Sequence, residues 1–383
     1  MNRGLPDTDT RSSRGVETAQ KPKALFICGS RNQTQQLHQV AMALPEVEAW
    51  YSPYYCDGVL EQIRRAHLCD FSILGWSRRK ECLRYLRRHG LSLDFQGERK
   101  GNHYDLIVTS SDVVIPRNLA NKPIVGVQEG ITDPERVWFW ARKLLPFVPR
   151  WAAGTAWTGT SNACVAFCAA SEGYRQRFIK NGADPERIVV TGIPNFDNCD
   201  RYRDNDFPHR NYVLVCTSDS RETLKFDNRK AFVRRALQLA AGRQVIFKLH
   251  PNEDWRRSTN EIRAISPEAL ILTEGCAEEM VANCAVLVCQ YSTLAFVGLA
   301  LKKEVHSYFD LDELQRLLPL QHASGAKNIA GVCRGVLSGE RLFNPTAALP
   351  TGELPTGDLA TEIQRHSLTS SSDSESLYPE VAA

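Results

Sequence analysis

Short runs of Val, Ile, Leu, Phe and Cys punctuate the chain, separated by stretches in which apolar residues return at helical spacing. The runs lie at 24–30, 71–75, 104–110, 122–130, 163–171 and 187–192, and again at 212–216, 244–249, 270–272, 286–289 and 303–308. Several of them, such as 24–28, 212–216 and 286–289, are apolar at nearly every position, the pattern of strands buried on both faces. Helical spacing fills 33–44, 78–88, 172–181 (ended by Gly182), 227–240, 255–265, 277–283 and 294–301. The aromatic segment 51–57 reads as a cleft lining or a surface loop, and 137–157, rich in Trp and Pro, as a mobile loop or a helical excursion. Strands alternating with helices predict parallel sheets covered on both faces. Regularity breaks at Ile193-Pro194-Asn195-Phe196-Asp197 and the polar stretch 199–210. The expected architecture is therefore α/β, with two Rossmann-like domains, 23–200 and 201–337, facing across a cleft. Residues 1–22 and 338–383 are too polar or too rich in Ser, Thr, Pro and Gly to pack, and are expected to be disordered.

Composition narrows the function. A chain of 383 residues exceeds what one core usually supports. Hydrophobic content of 43% and charged content of 24% are ordinary for a globular protein, and a net charge of +3 with interleaved acids gives no nucleic-acid footprint. The basic residues of 78–88 (Arg78, Arg79, Lys80, Arg84, Arg87, Arg88) form either a solvated helix face or a patch for anionic headgroups at the inner membrane surface. The twelve cysteines contain no CxxC pair. Several sit within apolar runs (Cys28, Cys216, Cys289), which fits small buried side chains in a reducing cytoplasm rather than a disulfide framework. No metal-ligand pattern is evident, and no cofactor is expected. No apolar run is long enough to span a bilayer, and the first 23 residues lack the apolar centre of a secretory signal.

The candidate chemistry lies at strand ends. Val245-Ile246-Phe247-Lys248-Leu249-His250 stops at Pro251, which cannot continue a central strand, so His250 stands at the carboxyl end. Ala285-Val286-Leu287-Val288-Cys289 stops at Gln290-Tyr291-Ser292-Thr293 and passes into a helix, with Ser292 placed as an N-cap. In open α/β sheets ligands bind beyond such ends, and helix N-termini there attract phosphate. Lys248, His250, Ser292 and Thr293 are thus candidate contacts for a nucleotide diphosphate. Ser218 and Arg221, in the polar loop after 212–216, join them. In the first half, Gly29 permits close approach at a strand–helix turn, and Ser30, Asn32 and Gln33 beside it are candidate acceptor contacts. Glu129 ends another apolar run; a carboxylate there must be solvated, paired, or an acid or base facing the cleft.

Three segments resemble the two-Rossmann-domain glycosyltransferase fold, GT-B. Residues 167–197, with Asn181-Gly182-Ala183-Asp184-Pro185-Glu186-Arg187-Ile188-Val189-Val190-Thr191-Gly192, resemble the end of the first domain of non-hydrolysing UDP-N-acetylglucosamine 2-epimerases. Phe247-Lys248-Leu249-His250-Pro251 resembles the His-Pro motif of CDP-glycerol glycerophosphotransferases and capsule transferases. Gln290-Tyr291-Ser292-Thr293, with Tyr308-Phe309-Asp310, resembles the phosphate-binding turn of the same groups. The resemblance implies that His250, Ser292 and Thr293 hold the donor diphosphate. It also implies that Glu129, in Val127-Gln128-Glu129-Gly130, is the catalytic glutamate. Leu294-Ala295-Phe296-Val297 is apolar where the epimerases carry acidic residues, one of which grips the ribose, so that Glu274, with Glu278 and Glu279 as alternatives, is the candidate for that role; Gln290 stands where the glycerophosphotransferases usually have Asp. The resulting expectation is a transferase that uses a UDP- or CDP-linked donor with a carbohydrate or lipid-linked acceptor. The alternatives are a UDP-N-acetylglucosamine 2-epimerase-like enzyme, or a nucleotide-binding protein that has lost turnover.

Overall fold

The computed structural model describes residues 21–340, apart from 69, 71, 134, 136, 146–149 and 223–225. The first half carries β1 (Lys23–Cys28), α1 (Arg31–Met42), β2 (Glu48–Pro53), α2 (Gly58–Arg65), α3 (Trp76–Arg88), β3 (Leu106–Thr109), β4 (Ile124–Val127), α4 (Val137–Leu144), β5 (Ala166–Ala169), α5 (Glu172–Lys180) and β6 (Ile188–Val190). The second half carries β7 (Val213–Cys216), α6 (Arg229–Ala240), β8 (Val245–Lys248), α7 (Trp255–Arg263), β9 (Leu270–Leu272), α8 (Ala277–Asn283), β10 (Val286–Cys289), α9 (Leu294–Ala300), β11 (Glu304–His306), α10 (Leu311–Leu317) and α11 (Gly325–Ser338).

All strand pairs are parallel and form two sheets, β2-β1-β3-β4-β5-β6 and β11-β10-β7-β8-β9. Chain order reverses between β1 and β3 in the first sheet and between β7 and β10 in the second. A doubly wound sheet opens its ligand crevice at such a reversal, because the loops leaving neighbouring strands there diverge to opposite faces. The turns at Gly29-Ser30, Ser218 and Gln290 all leave strands flanking a reversal.

One apolar layer packs on each outer side of the molecule, with α1, α3 and α11 on the first sheet and α6 and α7 on the second. A third layer runs unbroken from the first sheet into the second. Phe296 of α9 is fully buried there, edge-on to Tyr174 of α5 at 6.3 Å and to Phe196 at 5.9 Å. The seam is tight. Ser171 Oγ donates to Leu317 O at 3.0 Å, Leu320 N–H donates to Ala170 O at 3.0 Å, and Gly173 faces the Arg316 carbonyl so closely that a Cβ would stand 2.0 Å from it.

Local signals explain much of this. Ser30 and Ser171 cap α1 and α5 by accepting from Gln33 N–H and Tyr174 N–H, and Gly182, at φ +106°, follows α5 in the left-handed region. Three expectations need correction. The strand expected at 71–75 is absent over Ser72–Gly75, which turn instead, while Phe71 lies outside the described residues. Asp70 Oδ1 accepts Trp76 N–H at 3.1 Å there, and Gly75 lies against the Asp70 backbone, which draws the chain directly into α3. The second strand is β2, an edge strand with polar Glu48 and a terminal Pro53, so it lacked the apolar signature of a central strand. Finally, α11 lies in the range assigned to the second domain but packs on the first. Its Ile329, Ala330, Val332 and Cys333 join the first sheet's outer core, and Arg334 Nε donates to Glu46 Oε1 at 2.5 Å. Its apolar face complements the α1 side of the first sheet, which would otherwise be open.

The segment 137–157 holds α4 and a 3-10 stretch, Arg150–Trp157. Of the ends expected to be disordered, 1–20 and 341–383 lie outside the described residues. Every described cysteine is a free thiol, and all but Cys276 are buried. Among the described residues no helix is long and apolar enough to cross a membrane.

Candidate active site

Glu129 follows β4 and is held by the start of α1. Ser30 Oγ donates to Glu129 Oε1 at 2.7 Å, and Gln33 Nε2 donates to Oε2 at 2.6 Å. Ser30 therefore does two things: it caps the helix and orients the carboxylate. Gly29 permits this, since a Cβ there would stand 2.0 Å from Gln33 Oε1. Both oxygens of Glu129 are fixed while the residue stays half-buried at the rim of a cavity of about 860 Å³.

That cavity lies between the halves. The first half contributes Asn32, Gln35, His38, Tyr85 and Glu129; the second contributes Glu278, Thr293, Leu294 and Val297. Contact across it is close: a Cβ on Gly130 would be 3.3 Å from Thr293 Cγ2. The structure therefore brings Glu129 and Thr293 to one place from opposite domains. Thr293 occupies the N-cap position of α9 without a side-chain capping bond, while Ser292 Oγ accepts Leu294 N–H at 3.3 Å. The capping oxygen is thus the serine's, one residue ahead of the cap position.

His250 stands apart from the cavity lining, in the turn after β8. Its backbone N–H donates to Glu253 Oε2 at 3.0 Å and to Thr217 Oγ1 at 3.1 Å. Its Nδ1 accepts Asn252 N–H at 3.2 Å, so in the neutral ring the proton belongs on Nε2. Burial holds the imidazole below its usual 6.5, against the opposing pull of Asp219 and Glu253. A neutral His250 with a protonated Nε2 is a hydrogen-bond donor suited to an anionic oxygen. Beneath it lies a buried charged network. Arg229 reaches Glu253 Oε1 at 2.5 Å and Asp227 Oδ2 at 2.9 Å, Glu253 also accepts from Thr217, and Ser218 Oγ donates to Gln290 Oε1 at 2.6 Å. Each buried charge is paired, as low dielectric requires.

Three expected phosphate contacts have other partners. Lys248 Nζ donates to the Leu249 and Thr273 carbonyls at 3.0 and 3.1 Å, closing the sheet's carboxyl edge, and burial lowers its pKa. Arg221 donates to Glu261 Oε1 at 2.8 Å and lies 3.5 Å from Asp227. Ser218 sits within the network. Glu274 is exposed beyond β9, whereas Glu278, the alternative, lines the cavity. Among the described residues no group of three or more His, Cys, Asp or Glu could hold a metal ion.

Sequence reasoning passed over His38, Tyr85 and His89, which line the same cavity. His38 Nδ1 is 3.0 Å from Tyr85 Oη, and the Tyr85 and His89 rings are 4.2 Å apart. Their only signal was position: His38 partly exposed on α1, and Tyr85 and His89 one turn apart at the end of α3. Arg78, expected on a solvated helix face or a headgroup patch, has its Nη2 3.6 Å from Asp219 Oδ2 of the second half. Arg79 is half-buried, 5.7 Å over the Phe95 ring. The helix 78–88 is thus only partly a free basic face.

No family model and no curated protein matches this sequence. Solved structures do match. A UDP-N-acetylglucosamine 2-epimerase aligns with 84% of this chain and 97% of its own, at a TM-score of 0.50 and 11% identity. The UDP-GlcNAc 2-epimerase of Neisseria meningitidis, solved with UDP-GlcNAc bound, aligns with 83% of this chain and 100% of its own, again at 0.50 and 11%. The fold is GT-B-like. At such identity the likeness concerns the fold, which does not choose a reaction.

Proposed function

We propose that this chain is an enzyme acting on a nucleoside-diphosphate sugar, of the UDP-N-acetylglucosamine 2-epimerase type, with Glu129 moving the proton. The observation that carries this is Glu129 itself. It is a carboxylate fixed at both oxygens by Ser30 and Gln33, at the rim of a cavity whose opposite wall is the Thr293 turn. Inversion at C2 of a sugar requires a proton to leave that carbon and another to return on the opposite face. Loss of the nucleotide makes this feasible: the C2–H electrons form the C1–C2 double bond while the C1–O pair departs with the diphosphate. His250 and the Ser292-Thr293 turn are suited to receive that charge with preorganised donors.

The test is incubation with UDP-N-acetylglucosamine in deuterated water with no acceptor. Deuterium entering at C2, with the epimer appearing, is the expected result. Absence of both exchange and UDP release would overturn the reading.

One observation favours a second reading, transfer to an acceptor. Besides Glu129, the cavity is lined by His38, Tyr85 and His89 of the first half and by the apolar Leu294 and Val297 of the second. There Glu129 would take the proton of an acceptor hydroxyl. Consumption of a UDP- or CDP-linked donor only when a carbohydrate or lipid-linked acceptor is added would select it. Thermal stabilisation by UDP against CDP would identify the base, since a ligand at a hundred times its Kd contributes about 2.7 kcal/mol.

A further inference from the structure

Gln290 is the first residue after β10 and is buried. Its side-chain amide is held at both ends by the loop that follows β7. Nε2 donates to Asp227 Oδ1 at 2.7 Å, and Oε1 accepts from Ser218 Oγ at 2.6 Å. Charge fixes which way the amide points. Asp227 is fully buried and paired with Arg229 at 2.9 Å, so its ionised carboxylate can only accept and the amide nitrogen must face it. The backbone carbonyl of Gln290 anchors the next turn, accepting from Ser292 N–H at 3.1 Å and from Ser307 Oγ at 2.9 Å. Through its side chain and its backbone, Gln290 therefore joins the Ser292-Thr293 turn to Asp227.

Asp227 leads on to the other turn. Arg229 Nη2, which pairs with Asp227 Oδ2, also meets Glu253 Oε1 at 2.5 Å, and Glu253 Oε2 accepts the His250 backbone N–H at 3.0 Å. The path Ser292, Gln290, Asp227, Arg229, Glu253, His250 is continuous, and its four central side chains are buried. A satisfied polar network in low dielectric is rigid. We propose that Gln290 is a positioning residue for the diphosphate site. It holds the Ser292-Thr293 turn in register with the His250 turn, so that the two present their donors to a nucleoside diphosphate as one unit. A turn already in its binding geometry loses no affinity to ordering. Being buried, Gln290 acts through the turn and not on the ligand. This rests on the reading that the two turns meet the donor's diphosphate.

The experiment measures UDP binding by calorimetry on the full chain. It compares the parent with Gln290→Leu, Ser218→Ala, Ser292→Ala and His250→Ala, and with double variants that combine Gln290→Leu with Ser292→Ala or with His250→Ala. Gln290→Leu keeps the bulk and removes both side-chain bonds; it is expected to weaken UDP by about fivefold, within the range of coupled neighbours. Ser218→Ala removes only one of those bonds and should weaken UDP by about twofold. It carries the test, alone and in the same double variants, if Gln290→Leu does not fold. Each double variant should lose less than the product of its two single losses, because a turn already out of register gains less from its own donor. Parent-like UDP binding in folded Gln290→Leu or in Ser218→Ala, with binding weakened in Ser292→Ala or His250→Ala, would overturn the proposal and leave the donor-site reading standing. Losses that multiply in either double variant would also overturn it, since Gln290 would then act independently of that turn. Parent-like UDP binding in both Ser292→Ala and His250→Ala, or no UDP binding by the parent, would remove the donor-site reading and this inference with it.

Discussion

Glu129→Gln separates catalysis from architecture, because the structure predicts how the substituted amide is accommodated. Glu129 accepts from Ser30 Oγ at 2.7 Å and from Gln33 Nε2 at 2.6 Å. If the new amide nitrogen faces Ser30, the hydroxyl can accept from it, and the remaining oxygen still accepts from Gln33. If it faces Gln33, that side chain can turn over and present Oε1, which is buried without a partner among the described residues. Either way both contacts survive as neutral hydrogen bonds. Exchanging a charge-assisted bond for a neutral one costs about 1 kcal/mol each, so the total is at most about 2 kcal/mol. For a chain of this size that is a fall in Tm of a few degrees. The proton transfer, by contrast, loses its base, a loss of about a hundredfold to ten-thousandfold. UDP affinity should stay within about twofold, since UDP lacks the sugar whose proton Glu129 is placed to move. The assay is C2 deuterium exchange in UDP-N-acetylglucosamine beside thermal unfolding and UDP calorimetry. Exchange within about tenfold of the parent would refute the base assignment. A fall in UDP affinity matching the fall in turnover would make Glu129 a binding group instead.

Other outcomes follow from packing and charge. Gly173→Ala places a Cβ 2.0 Å from the Arg316 carbonyl, with backbone on both sides, and should cost at least about 1–3 kcal/mol in urea unfolding. Gly331→Ala, on α11 with nothing within 4 Å of the new Cβ, should instead be neutral or stabilise by up to about 1 kcal/mol; equal effects from the two would refute the account of the seam. Burial lowers the pKa of His250, so below pH 6.5 the unfolded chain takes up a proton that the folded ring resists. Stability should therefore fall as pH drops from 6.5 towards the lowered folded value, and fall less in His250→Gln. Parallel stability–pH curves for the two proteins would exclude that contribution.

Periodicity alone determined the class of fold: apolar runs ending at Cys28, Cys216, Lys248 and Cys289 became buried central strands, because a strand covered on both faces has no polar side to show. The same logic failed at the edge. β2 is half-exposed and so lacked the signature, and Ser72-Ile73-Leu74-Gly75 had enough of it to mislead while its backbone was drawn into the start of α3. Strand ends also made Glu129, His250, Ser292 and Thr293 visible as candidates, since a polar group after an apolar run must emerge at the sheet's carboxyl edge. What those groups touch was decided only by the tertiary structure. Whether Lys248 faces a ligand or the Leu249 and Thr273 carbonyls depends on the neighbouring strand, not on its own segment. Pairing Arg78 with Asp219, placing Glu129 opposite Thr293 and returning α11 to the first sheet all join residues far apart in the chain. Local pattern records which face of an element is apolar; the partner that covers that face, and the charges that meet across the cleft, exist only once the two halves have packed.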